Sequence, residues 1–270
     1  WSPWGRTCIR RCGWPRCWLR KAAMLPRRPS PLTACTSPAR TTMRRMAFPS
    51  APRPSTGSRT RIKICGLTRE ADIAAAVDAG ADAIGFVLYA KSPRNVTLDR
   101  ALQLAQTLPP FVTPVLLFVN ATLTAIDAAC KALPQALLQF HGDETAAECD
   151  AAMRGYLRAV RMAPGVDLLD CARSFPRAAA LLLDADVEGY GGGGKVFDWS
   201  LLPTDVPSRL VLSGGLNPAN VIDGVLRVRP YAVDVSSGVE ASKGVKDAAL
   251  LRRFCEAVRE ADARLADLAN

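Results

Sequence analysis

The chain has 270 residues, 49% of them hydrophobic and 22% charged, with a formal net charge of +10. That is room for one large domain or two small ones of ordinary globular composition, and no run of about 18 apolar residues marks a transmembrane helix. The charge is uneven: residues 1–58 hold 12 Arg and Lys and no acid, whereas residues 59–270 hold 23 basic and all 25 acidic residues, so the body is mildly acidic and gives no compositional case for nucleic-acid binding.

Residues 1–58 are rich in Arg, Pro, Ser and Trp and show neither a strand nor a helix period. They are expected to form a disordered basic extension. A transit peptide would be Arg- and Ser-rich but also amphipathic, which this segment is not. A zinc module would need paired Cys-x2-Cys spacing, which Cys8, Cys12 and Cys17 do not give. A basic arm carrying Trp4, Trp14 and Trp18 could bind nucleic acid. The preferred reading is translation from upstream of the true start, with Met43 and Met46 as candidate initiators. In the body, Cys65, Cys130, Cys149, Cys171 and Cys255 are scattered singly. That is not a disulfide framework, and it points to a reducing cytoplasm.

From residue 61 onward, short apolar runs alternate with amphipathic stretches. A strand over 61–65 leads to a helix over 69–79, closed by Gly80. Strands follow over 83–88, 113–119, 136–140, 156–160, 179–184, 210–212 and 231–235. Helices are expected over 98–107, 122–133, from the 141–144 turn to 153, over 167–173, near Trp199, over 218–228 and over 246–268. Eight alternating strand and helix units imply parallel strands with helices outside, a (β/α)8 barrel over residues 59–270. A doubly wound sheet is the alternative, but no Gly-x-Gly-x-x-Gly follows the first strand.

A barrel builds its site from the C-terminal ends of its strands. Strand one ends in Cys65, either a reactive thiol or a small buried hydrophobe. Strand six ends in Asp184, with Asp186 as a less favoured alternative. A thiol and a carboxyl facing each other across the mouth can act as base and acid. Lys63 shares the face of Cys65 by alternation and could favour the thiolate. Gly214 and Gly215 after strand seven, and Ser236 and Ser237 after strand eight, offer backbone N–H groups to a phosphate, aided by a short helix start. The glycines could instead simply make tight turns. Arg94 suits a substrate carboxylate or is a solvated loop charge. His141 is a pocket wall, a proton shuttle or a hydrogen-bonded strand-end histidine, and Asp234 receives sugar hydroxyls or backbone N–H groups. Arg161 and Asp198 read as structural.

With these residues in place, the chain resembles the phosphoribosylanthranilate isomerase family. The resemblance rests on Lys63-Ile64-Cys65-Gly66-Leu67-Thr68, Lys91-Ser92-Pro93-Arg94, Gln139-Phe140-His141-Gly142, Leu183-Asp184, Leu212-Ser213-Gly214-Gly215-Leu216 and Asp234-Val235-Ser236-Ser237-Gly238-Val239-Glu240, in that order. It implies an Amadori rearrangement in tryptophan biosynthesis, without metal or cofactor, with Asp184 as general acid and Cys65 as general base. Arg94 would hold the anthranilate carboxylate, His141 and Asp234 would contact substrate, and Gly214, Gly215, Ser236 and Ser237 would hold the phosphate. Gly193 stands where the family usually has Ser or Thr. The family contains monomers and dimers. The implied partner is a small phosphorylated substrate in the cytoplasm, with no nucleic acid and no membrane. Indole-glycerol-phosphate synthase would want a lysine acid, and histidine-pathway isomerases an aspartate where this chain has Cys65. A nucleic-acid-binding protein would rest wholly on residues 1–58.

Overall fold

The computed structural model describes residues 59–185, 197–203 and 205–268. The expected disorder of residues 1–58 therefore falls outside the described residues, as do Asp186, Gly193 and most of the long loop after strand six.

Eight parallel strands close into one barrel in sequence order. They are β1 (Arg61–Cys65), β2 (Ala83–Val87), β3 (Thr113–Phe118), β4 (Leu137–Phe140), β5 (Tyr156–Met162), β6 (Ala180–Ala185), β7 (Leu210–Leu212) and β8 (Ala232–Val235), with β8 pairing back onto β1. Around them lie α1 (Glu70–Ala79), α2 (Leu98–Ala105), α3 (Leu123–Ala132), α4 (Ala146–Ala151), α5 (Leu168–Ser174), α6 (Val221–Val228) and α7 (Ala248–Asp267). Among these helices none is long and apolar enough to cross a membrane. The (β/α)8 barrel read from the sequence is the fold.

Alternation along the strands decides what faces inward. Leu157 and Ala159 of β5, Ala180 and Leu182 of β6, Val211 of β7 and Ala232 of β8 fill the barrel centre. Ile62 and Ile64 of β1, one residue out of step with Lys63 and Cys65, join the layer between strands and helices. Burying each such aliphatic side chain is worth about 1.5–3 kcal/mol. The helices start where polar side chains can take up their orphan N–H groups. Thr97, Thr122, Asp167 and Asp247 each accept such bonds, and Thr145 forms a reciprocal capping box with Glu148.

The short helix expected near Trp199 is present as a single 3-10 turn, Trp199–Leu201. Two expectations are corrected. β5 runs on to Met162, so Arg161 lies inside the strand rather than beyond it. The last helix does not begin at Lys246. Residues Glu240–Ser242 (β9) and Val245–Lys246 (β10) form an antiparallel hairpin turning at Gly244, whose φ is 79°, and Asp247 then caps α7.

Candidate active site

The strand ends converge on an open cavity of about 650 Å³, counting the solvent at its mouth. Cys65, Arg94, His141, Asp184, Gly214, Gly215, Asp234, Ser236 and Ser237 all line it. The structure thus brings these nine residues, each singled out from the sequence, to one cavity.

β1 carries Lys63 and Cys65 inward, two residues apart. Lys63 Nζ donates to Asp234 Oδ1 at 2.7 Å, and the two side chains are only 4% and 6% exposed. The pair is level by register, since Lys63 of β1 sits opposite Asp234 of β8. Cys65 sits opposite Gly85 of β2. A Cβ at Gly85 would stand 2.7 Å from Cys65 Sγ and 3.2 Å from Lys63 Nζ. The missing side chain is the space in which thiol and ammonium meet. Burial works against the charge on Lys63, but Asp234 and Cys65 outweigh it and hold the ammonium above its ordinary value. Burial pushes the Cys65 thiol up, and Lys63 only partly opposes this. The resident form of Cys65 at neutral pH is therefore the thiol, with the positive charge that would stabilise its thiolate already beside it.

Asp184 ends the inward row of β6. Its Oδ1 accepts the Ala185 N–H at 3.0 Å, and its Oδ2 lies 3.1 Å from His141 Nε2. His141 Nδ1 in turn lies 2.9 Å from the Gln139 amide nitrogen, which is buried beneath it. His141 is thus a hydrogen-bonded strand-end histidine and a wall of the cavity at once.

The loop after β7 lies directly against the end of β6. Gly214 has φ +76°, and a Cβ there would come within 2.3 Å of the Ala185 backbone nitrogen and 3.0 Å of Asp184 Oδ1. Only glycine permits both the conformation and the approach. After β8, Ser236 Oγ donates to the Cys65 carbonyl at 3.0 Å, and Lys246 Nζ donates to the Ser236 carbonyl at 3.0 Å. The helix start expected there is a single 3-10 turn, Ser237–Val239, too short to carry an appreciable dipole. Backbone groups, not a helix terminus, are what this wall offers an anion.

Arg94 is not a solvated loop charge. Its Nε and Nη2 fork onto Glu240 at 2.7 and 2.8 Å. Lys246 Nζ donates to the same carboxylate at 2.8 Å. Burial alone would raise Glu240, but these two cations hold it below its ordinary value. The β9–β10 hairpin thereby braces Arg94 at the rim with one edge of its guanidinium committed. Glu240 and Lys246 were not recognised as site residues from the sequence. Nothing local marks them, because they act across 146 and 10 residues of chain on partners that only the fold brings near. Gln139 had a usable signal: on β4, two residues before His141 at the strand's end, it is placed by alternation on the same face.

A family model described as N-(5'phosphoribosyl)anthranilate (PRA) isomerase matches residues 62–257. The N-(5'-phosphoribosyl)anthranilate isomerase of Leptothrix cholodnii is 68% identical over 213 residues, covering 79% of this chain and 97% of that relative. The chain belongs to the phosphoribosylanthranilate isomerase family. It is an isomerase, and its family serves tryptophan biosynthesis. The crystal structure of the phosphoribosylanthranilate isomerase from Thermotoga maritima shares 40% identity and a TM-score of 0.68, over 74% of this chain and 99% of that one. A second phosphoribosylanthranilate isomerase structure, in complex with reduced 1-(O-carboxyphenylamino)-1-deoxyribulose 5-phosphate, has 36% identity and a TM-score of 0.64, over 74% and 99% of the two chains.

Proposed function

We propose that the chain converts N-(5-phosphoribosyl)anthranilate to 1-(2-carboxyphenylamino)-1-deoxyribulose 5-phosphate by an Amadori rearrangement that uses neither metal nor cofactor. The observation that carries this reading is the convergence of Cys65, Asp184 and the two backbone-rich loops after β7 and β8 on one cavity. The Asp184 carboxyl protonates the furanose ring oxygen as the C1′–O bond breaks, and the ring opens to a Schiff base. The Cys65 thiolate then removes the C2′ proton, and the resulting enolamine tautomerises to the ketone. Gly214, Gly215, Ser236 and Ser237 hold the phosphate through backbone and hydroxyl groups. His141 and Asp234 border the sugar, and Arg94 meets the anthranilate carboxylate with the guanidinium edge that Glu240 leaves open. We place the catalytic domain at residues 59–270, acting in the cytoplasm as a monomer or homodimer without nucleic-acid or membrane partners.

The test is to generate phosphoribosylanthranilate in situ and follow the loss of its fluorescence on adding the protein. No decay would overturn the reading. The ionisation of Cys65 is a second test, read at the thiol itself because turnover requires acid and base in opposite protonation states. Burial raises the Cys65 thiol, so the thiolate is scarce at neutrality and grows as pH rises. Alkylation of Cys65 by iodoacetamide, followed by mass spectrometry of its peptide, should speed up by up to about tenfold per unit between about pH 7 and 9 while the thiolate remains the minor form. A rate that is flat over that range would count against a Cys65 that rests as the thiol and acts as the thiolate.

Arg94→Ala should raise KM by about 10–100-fold with a smaller change in kcat, the worth of one charge-assisted hydrogen bond. Arg94→Lys should do little better, since a lysine cannot fork onto Glu240 and still face the carboxylate. An unchanged KM in Arg94→Ala would remove the clamp role.

A further inference from the structure

The chain Gln139–His141–Asp184 has a direction. Gln139 is fully buried, and its Oε1 has no hydrogen-bond partner among the described residues. Turning the amide over would place the carbonyl on His141 Nδ1 and leave the two N–H donors of the NH2 group in that same unpartnered position. Orphaned buried donors are rarer than under-used carbonyls, so the amide stands with N–H toward Nδ1. Nδ1 must then be the bare acceptor, and the ring proton must sit on Nε2, 3.1 Å from Asp184 Oδ2.

We propose that Gln139 is a positioning residue that locks His141 as its Nε2–H tautomer, so that His141 can donate to Asp184 but never accept from it. The proposal rests on Asp184 being the general acid. A bare Nε2 would take the hydrogen bond from the protonated carboxyl and turn its proton away from the substrate. An Nε2–H cannot. The acid proton is left for the furanose oxygen, and His141 Nε2–H and Ala185 N–H remain in place to hold the carboxylate that forms. Only one proton moves in the step, from the Asp184 carboxyl to the ring oxygen, and His141 keeps its own.

The chain contains a single histidine, so full-length protein labelled with 15N-histidine reports one imidazole, and its side-chain nitrogen–proton spectrum reads the tautomer directly. The wild type should show the proton on Nε2 and a bare Nδ1. Gln139→Met, of matched shape, should show a mixture of tautomers and lose about 10–100-fold in kcat, as outer hydrogen-bond partners of functional histidines do. Its KM should stay within about twofold, because the substrate contacts are untouched. Gln139→Glu, which can only accept, should draw the proton to Nδ1 and be slower still. A wild-type proton on Nδ1 overturns the lock, and that spectrum needs no variant to fold. So does a Gln139→Met protein that keeps both tautomer and kcat. Kinetics of Asp184→Asn judge the acid assignment separately. Full activity there, with the wild-type ring proton on Nε2, would remove the catalytic consequence while leaving the tautomer lock itself in place.

Discussion

Asp184→Asn and Cys65→Ser are each expected to cut turnover by about 10²–10⁴-fold, the worth of a positioned general acid or base. Both substitutions nearly preserve shape, so the loss should appear without a matching loss of stability. In Asp184→Asn the amide can still take the Ala185 N–H on its oxygen, but it then points its NH2 at His141 Nε2, where the carboxylate now sits 3.1 Å away. The variant has no proton acidic enough to give to a ring oxygen. In Cys65→Ser the hydroxyl keeps the space opposite Gly85 and the neighbour Lys63. An alcohol is a far weaker acid than a thiol, so even the adjacent ammonium leaves it without a usable anion. Steady-state fluorescence kinetics and a thermal melt on the same preparations check this. Near-wild-type turnover in both variants would overturn the assignment of roles.

The parts of this site that could be read from the chain were those set by periodicity within one strand. Lys63 and Cys65 share a face because strands alternate, and Asp184 follows Leu182 on the inner row of β6 for the same reason. The eight strands were legible because each is a short apolar run closed by a turn. What escaped was long-range or built from weak segments. The β9–β10 hairpin contains no apolar run, so Lys246 reads as the start of the amphipathic stretch that follows. Arg94 reads as a rim guanidinium suited to a carboxylate, but nothing in the sequence shows that Glu240, 146 residues away, braces it. The Gln139–His141 link was visible as a spacing, but its consequence depends on Asp184, 43 residues beyond His141 and two strands round the barrel.

Lys63→Met should be damaging twice over, and the two effects can be separated. The first is stability. Asp234 is 6% exposed and draws its main compensation from Lys63 at 2.7 Å, the only other bond to its carboxylate among the described residues being a long one from Ser213 Oγ at 3.5 Å. Removing one partner of a buried ion pair leaves an uncompensated charge and costs about 3–5 kcal/mol. The second is chemistry. Lys63 is the group that works hardest against the burial of the Cys65 thiol, so without it the thiolate becomes scarcer and the rise of Cys65 alkylation with pH moves to higher pH. The double variant Lys63→Met, Asp234→Leu removes both charges and replaces them with apolar side chains. It should recover most of the lost stability, as apolar replacement of a whole buried pair often does, yet it should restore the pH profile only in part: the Asp234 charge that raises the thiol is gone, but the cation that lowers it is still missing. Denaturant midpoints for the single and double variants measure the first effect, and pH profiles of Cys65 alkylation the second, as a two-residue cycle. Full recovery of both in the double variant would show that Lys63 serves only to neutralise Asp234. Recovery of stability alone would show that the buried ammonium is held in the barrel for the sake of the thiol.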